Sequence, residues 1–252
     1  MFVYADNAAT TALSPTALRT MTAALQDVYG NPSSLHRMGR VASAALKGAR
    51  ETMAKYLGAK PEEIYFTGCG TEADNWALRS AAYAGAKQGK KHIISSAIEH
   101  HAVLHTLAAL EKEGFEVTLL PVYENGIVHL ADLEAAIRPD TALVSIMYAN
   151  NEIGSIQPVA EIGKLCREKG VPFHTDAVQA AGHLPINVVE QNIDMLSLSG
   201  HKFHAPKGVG LLYCRKGIRL TPFIEGGAQE RGKRAGTEAL PSIMAMAAAF
   251  AE

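Results

Sequence analysis

Apolar positions along the chain keep two rhythms. Early on the spacing is helical. Ser14 and Pro15 supply an N-cap and a first-turn proline for a helix running to about residue 28. Gly30-Asn-Pro-Ser-Ser34 predicts a turn, and a long helix follows over 36–57, stopped by Gly58. Beyond it, short apolar runs alternate with helical segments. The runs predict strands at 64–67, 92–95, 117–121, 143–148, 171–174, 195–199 and 209–213. The helices between them open near Thr71, His101, Leu130 and Pro158. This alternation predicts an α/β fold, a mostly parallel sheet with helices on both faces. The polar stretch 1–14 reads as an N-terminal segment, 15–240 as one large domain, and 241–252 as the start of a further helix. That helix has no cap and no polar tail, so the expectation is a chain that continues into a smaller domain.

Composition narrows the function classes. Of 252 residues, 48% are hydrophobic and 19% charged, which supports a substantial core and argues against disorder. Lys and Arg total 24 against 25 Asp and Glu, so nothing points to nucleic acid or an anionic membrane surface. No apolar run is long enough to span a bilayer, and the first residues lack the regions of a signal peptide. Three scattered cysteines, Cys69, Cys166 and Cys214, make no disulfide framework, so a cytoplasmic location is expected.

Ligands of open α/β sheets sit beyond the carboxyl ends of the strands. The predicted ends carry Gly68-Cys-Gly-Thr-Glu72, then Glu99-His100-His101, Asn150-Asn151, Asp176 with Gln179, and Ser199-Gly200-His201-Lys202. Each has a plain reading: Thr71 and His100 as caps, Asp176 as a turn residue, Lys202 as a solvated lysine. Together they suit a phosphorylated pyridine aldehyde. Gly70 and Thr71 open a helix whose amides would bind phosphate. Asp176 would hold a proton on the pyridine nitrogen, and Gln179, one turn on, would reach the ring oxygen. His100 would stack on the ring or relay a proton. Lys202, kept neutral by burial beside a cationic ring, would form a Schiff base and later act as a base. A competing reading is a nicotinamide-dependent oxidoreductase, because Gly68-Cys-Gly-Thr-Glu-Ala73 fits G-x-G-x-x-A and Glu99 follows the next strand. His101 and His105 have metal-ligand spacing, yet no third ligand matches them, so no metal site is expected.

The runs YADNAATT, GNPSSLHRMGR, FTGCGTEADN, IEHHAV, VSIMYANNEIGSIQPV, FHTDAVQAAGHLPI, SLSGHKFHAPKGVGLLY and ERGKRAGTEA cover nearly the whole chain. In combination they resemble the NifS/IscS-like cysteine desulfurases, within the class V aminotransferase group of pyridoxal phosphate enzymes. The resemblance implies fold type I, a seven-stranded sheet, a homodimer and pyridoxal 5'-phosphate as cofactor. It also implies conversion of L-cysteine to L-alanine, with sulfur passed to a cysteine persulfide for iron–sulfur cluster assembly or another pathway. A sulfur-acceptor or scaffold protein would be the partner. It makes Lys202 the covalent anchor, and Gly70, Thr71, Ser199, Gly200 and His201 the phosphate cradle. It pairs Asp176 with the ring nitrogen, sets Gln179 and Asn151 at the ring oxygen and substrate side, and stacks His100 over the ring. Thr237 is implied to reach the partner subunit's phosphate; nothing else in the sequence singles it out.

Two departures stand out. The family usually reads serine-glycine-alanine-threonine where this chain has Gly68-Cys69-Gly70-Thr71, so Cys69 enters the cradle as a small packed thiol. The family's sulfur-accepting cysteine and carboxylate-binding arginine are expected beyond Glu252, so this chain alone should bind cofactor and turn over poorly. Other readings are a selenocysteine lyase or another class V enzyme, and a non-catalytic dimerising fragment.

Overall fold

In the computed structural model, which describes residues 3–252, the strands are β1 (Ile64–Thr67), β2 (His92–Ser96), β3 (Glu116–Leu120), β4 (Thr141–Ser145), β5 (Phe173–Asp176), β6 (Met195–Ser199) and β7 (Gly210–Cys214). The helices are α1 (Pro15–Asp27), α2 (Arg37–Leu57), α3 (Gly70–Ala86), α4 (His101–Lys112), α5 (Leu130–Ala136), α6 (Val159–Lys169), a single turn α7 (Gln229–Gly232) and α8 (Leu240–Phe250). Met1 and Phe2, the head of the N-terminal segment, lie outside the described residues. Capping follows the sequence. The Ser14 hydroxyl accepts from the Ala17 amide at 3.1 Å, and Gly58 ends α2 at φ 69°.

All seven strands join one sheet in the order β1-β7-β6-β5-β4-β2-β3. From β6 to β3 neighbours are parallel, whereas β7 is antiparallel to both β6 and β1. The cause is connection length. Only the segment 200–209 joins β6 to β7, too short for the helical crossover a parallel pair needs. The same order removes the dinucleotide reading. The strand that feeds the G-x-G-x-x-A turn lies at the sheet edge, paired only with antiparallel β7, not inside a parallel βαβ unit. Among the described residues no helix is long and apolar enough to cross a membrane.

One strand boundary differs from expectation in a way that matters. Strand β5 begins at Phe173, not 171. The Val171 amide is still closing α6 onto Cys166 O at 3.0 Å, and Pro172 has no N–H to give. The shift makes Asp176 the last residue of the strand, not a residue of the following loop. Its carbonyl accepts from Tyr148 N at 2.8 Å, so its backbone is held by the sheet.

Alternation along the strands builds two cores. Ile93, Leu143, Met195 and Leu212 face Trp76, Leu78, Val103 and Leu107 of α3 and α4. Ile94, Val144, Leu196 and Tyr213 face the other way, toward Met53 and Leu57 of α2, Ile162 of α6 and Met246 of α8. The face under α3 also carries a buried polar row. Ser95 donates to Ser145 O at 2.7 Å, while His174 hydrogen-bonds with Ser145 Oγ through Nδ1 (2.8 Å) and with Ser197 Oγ through Nε2 (3.0 Å). This row leads up to the end of the sheet where the candidate site lies.

Candidate functional site

At the carboxyl ends of the central strands a cavity of about 410 Å³ opens against the first turn of α3. Its lining includes nine of the residues selected from sequence: Gly70, Thr71, His100, Asn151, Asp176, Gln179, Ser199, His201 and Lys202. Gly200 and Thr237 are not among them.

The α3 end of the cavity is built for an anion. Cys69 is the N-cap: its sulfur accepts from Glu72 N at 3.4 Å and its carbonyl from Ala73 N at 3.2 Å. Among the described residues, the Gly70 and Thr71 amides donate to no protein acceptor. These are the orphan N–H groups that favour negative charge at a helix start. Close approach is a condition of this geometry. A Cβ on Gly70 would stand 2.6 Å from Val178 Cγ2, and one on Gly210 only 2.6 Å from the Cys69 carbonyl carbon. Ser199 and His201 bring further polar atoms, and the His201 ring is fixed by Thr10 Oγ1 at 3.1 Å. Gly200 has another task. Its amide donates to Val209 O at 3.0 Å, so it turns the chain and offers no donor to the cavity.

Lys202 ends a single 3-10 turn that continues β6. Its amine donates to the carbonyls of Ala8 and, at 2.9 Å, Ala9, in the N-terminal segment. That segment is clamped to the lysine's own loop, with Thr11 N donating to His201 O at 2.9 Å and His204 N to Thr11 Oγ1 at 2.7 Å. Burial lowers the Lys202 amine below the ordinary lysine value, with Asp176 and Asp6 opposing the shift. Gln179 reaches the same segment, donating to Ala8 O at 2.9 Å.

Asp176 is 4% exposed, and burial raises its carboxyl above the usual range. The Val178 amide at 2.9 Å and the neighbouring His100 and Lys202 side chains pull in the other direction. His100 caps α4. Its Nδ1 accepts from Ala102 N at 3.1 Å, so in the neutral ring the proton sits on Nε2. The paired asparagines divide their work. Asn150 spends its side chain on Ile98 O, Glu152 N and Ile153 N, while Asn151 lines the cavity.

Thr237 lies elsewhere, in a smaller recess with Gly68, Glu230 and Arg234. It is nevertheless tied to the cradle. Arg234 grips Glu72 at 2.7 and 3.1 Å, and Glu72 accepts the Gly68 amide at 3.0 Å. Sequence reasoning passed over Asp6, Asp74 and Met147, which also line the cavity. Asp74 had a readable signal, a carboxylate one turn into α3 on the side of its apolar positions. Glu99, offered as a ribose ligand in the nicotinamide reading, is buried, with Oε1 taken by Ser96 Oγ (2.5 Å) and Met147 N (2.9 Å). Among the described residues no cluster of three potential metal-ligating side chains is present.

The residues present fit a phosphorylated pyridine cofactor: free amides at a helix start, a glycine cradle that a Cβ would fill, a half-buried lysine, and a buried carboxyl without an arginine. Comparison with known proteins agrees. The aminotransferase class-V family profile matches residues 3–251. A cysteine desulfurase IscS of Methanosarcina thermophila is 54% identical over 97% of this chain and 60% of its own length. Another, from Clostridium botulinum, is 53% identical over 98% of this chain and 62% of its own. The chain thus spans about 60% of the length of these curated relatives. Among solved structures, a NifS-like protein superposes with a TM-score of 0.97 at 45% identity, covering 100% of this chain and 69% of that one. SspA in complex with cysteine gives 0.95 at 43% identity, covering 99% of this chain and 72% of that one. The chain belongs to the class V aminotransferase family, in its cysteine desulfurase branch, with the fold type I architecture of pyridoxal phosphate enzymes.

Proposed function

We propose that this chain is the cofactor-binding large domain of a pyridoxal phosphate-dependent cysteine desulfurase. The observation that carries the reading is the meeting, in one cavity, of a lysine with a lowered pKa, a buried aspartate and a helix start with two free amides. The bound cofactor would act as an electron sink for the carbon skeleton of L-cysteine. Gly70, Thr71, Ser199 and His201 would hold its phosphate. Asp176 would hold the ring-nitrogen proton, Gln179 and Asn151 would serve the ring oxygen and the substrate, and His100 would cover the ring. Lys202 would anchor the cofactor and move a proton at the substrate α-carbon, a task for which a neutral amine at working pH is required. Gly200 shapes the turn, and Thr237 is assigned to the phosphate of a second subunit in a homodimer.

None of the three cysteines suits sulfur acceptance. Burial pushes the Cys166 and Cys214 thiols up to about 12, and Cys69 is spent as a helix cap. We therefore assign the persulfide to a thiol outside these residues, with a sulfur-acceptor or scaffold protein downstream and the cytoplasm as the compartment. That the SspA structure holds cysteine supports L-cysteine as the substrate.

The test is a titration with pyridoxal phosphate, followed by absorbance and by reduction with borohydride. Wild type should retain cofactor covalently after reduction, and Lys202→Ala should not. Attachment should speed up with rising pH and level off below the ordinary lysine value of 10.5, because the folded amine loses its proton earlier. Covalent retention undiminished in Lys202→Ala sinks the assignment.

A further inference from the structure

Asp74 stands one turn into α3, with its carboxyl on the cavity wall. The residue is 1% exposed, and among the described residues its Oδ1 has no hydrogen-bond partner. A buried polar atom in that condition needs an explanation. The groups facing it are Asp176 and His174 from β5, Ser197 from β6, and Glu99 from the loop before α4. None supplies a positive charge. His174 Nε2 lies 3.7 Å from Asp74 Oδ1, but both ring nitrogens are engaged by serine hydroxyls. Burial drives the imidazole down to about 3, so it stays neutral.

Two carboxyls in one buried site do not both ionise cheaply. Asp176 has what an anion needs: the Val178 amide and the Lys202 ammonium nearby. Asp74 has no amide and no cation, only the Ser197 hydroxyl. We propose that Asp74 is a positioning residue held in its acid form, which confines the single negative charge of the Asp74–Asp176 pair to Asp176. The acid proton lets Asp74 donate within the pair or to Ser197, while the charge stays where a ligand's protonated ring nitrogen would meet it. The second half of this inference rests on the cofactor reading above. The protonation state does not, and it can be measured without cofactor.

The experiment is infrared difference spectroscopy of the cofactor-free protein at neutral pH, wild type against Asp74→Asn. The expected result is loss of a protonated-carboxyl C=O band; loss of a carboxylate band instead overturns the proposal. If Asp74→Asn does not fold, carbon NMR of wild type labelled at aspartate carboxyls replaces it, and a spectrum with every carboxyl ionised overturns the proposal. Cofactor titration reads the positioning role. Asp74→Asn, a neutral isostere of the acid, should bind pyridoxal phosphate within about threefold of wild type, and Asp176→Asn should bind at least about tenfold more weakly. Equal losses would show that Asp74 carries the charge. Wild type that binds no cofactor would remove the functional reading and leave the infrared result to decide the protonation.

Discussion

Buried acids away from the cavity and beside it are treated in opposite ways. Away from the cavity, Asp194 precedes β6 and receives Arg215 at 2.6 Å, Arg167 at 3.3 Å and the Phe173 amide at 3.0 Å. Near the β1 edge, Glu230 is held by two Arg50 N–H groups at 2.7 and 2.9 Å and by the Phe66 amide at 3.2 Å. Glu230 and Arg231 even adopt left-handed backbone, at φ 45° and 59°, inside this clasp. At the cavity end, among the described residues, Asp74, Glu99 and Asp176 meet no arginine, and Glu99 Oε2 and Asp74 Oδ1 have no hydrogen-bond partner. The contrast separates two uses of buried charge. Structural acids are held by arginine within the fold, whereas beside the cavity burial raises Asp74 and Glu99 and leaves Asp176 with the Val178 amide and Lys202 close by.

The sharpest way to break this contrast is to remove one acid of each kind. Glu230→Ala strands the Arg50 guanidinium, and urea unfolding should show a loss of about 3–5 kcal/mol. Replacing both partners with apolar residues should recover much of it.

Glu99→Gln should act with the opposite sign. Burial pushes the Glu99 carboxyl up to about 8 from an ordinary 4.5, so the folded state holds a proton that the unfolded state has released between those values. Wild-type stability from this group is therefore present at low pH and lost as pH rises toward about 8. Glutamine escapes the loss. The variant should match wild type near the ordinary carboxylate range and exceed it by on the order of 2 kcal/mol in alkaline solution. A variant less stable than wild type in alkali would end the contrast.

His174 gives an acid-side effect. Its imidazole titrates at about 3 in the fold but at 6.5 when unfolded, so stability falls as pH drops through that interval. His174→Gln should flatten this limb by about 1 kcal/mol per pH unit in thermal melts. The smallest effect is chemical. A thiol reagent on the native protein should leave Cys166 and Cys214 unmodified and reach Cys69 alone, and label on either buried cysteine in mass spectra would contradict their burial.

Much of this was legible from the chain, for local reasons. Short apolar runs bounded by glycine and polar residues located all seven strands, and Ser14-Pro15 and Gly58 located helix ends, because periodicity and capping act within a few residues. The site residues stood out because strand ends are where an α/β sheet displays its loops. Less legible were matters of partnership. Asn150 and Asn151 look alike in sequence, yet one is consumed by Ile98 and its own turn. Ser199 and Gly200 look like one cradle, yet the Gly200 amide belongs to Val209.

The sequence by itself determined the elements, their order and the chemical inventory of the cavity: Lys202, Asp176, His100, Gly70 and Thr71. Only the tertiary structure decided that β7 runs antiparallel, that the N-terminal segment closes over Lys202, and that Asp74 and Glu99 stand beside Asp176 without a counter-charge. The physical reason is that the ionisation and hydrogen bonding of a buried group depend on neighbours distant in sequence, which no local pattern records.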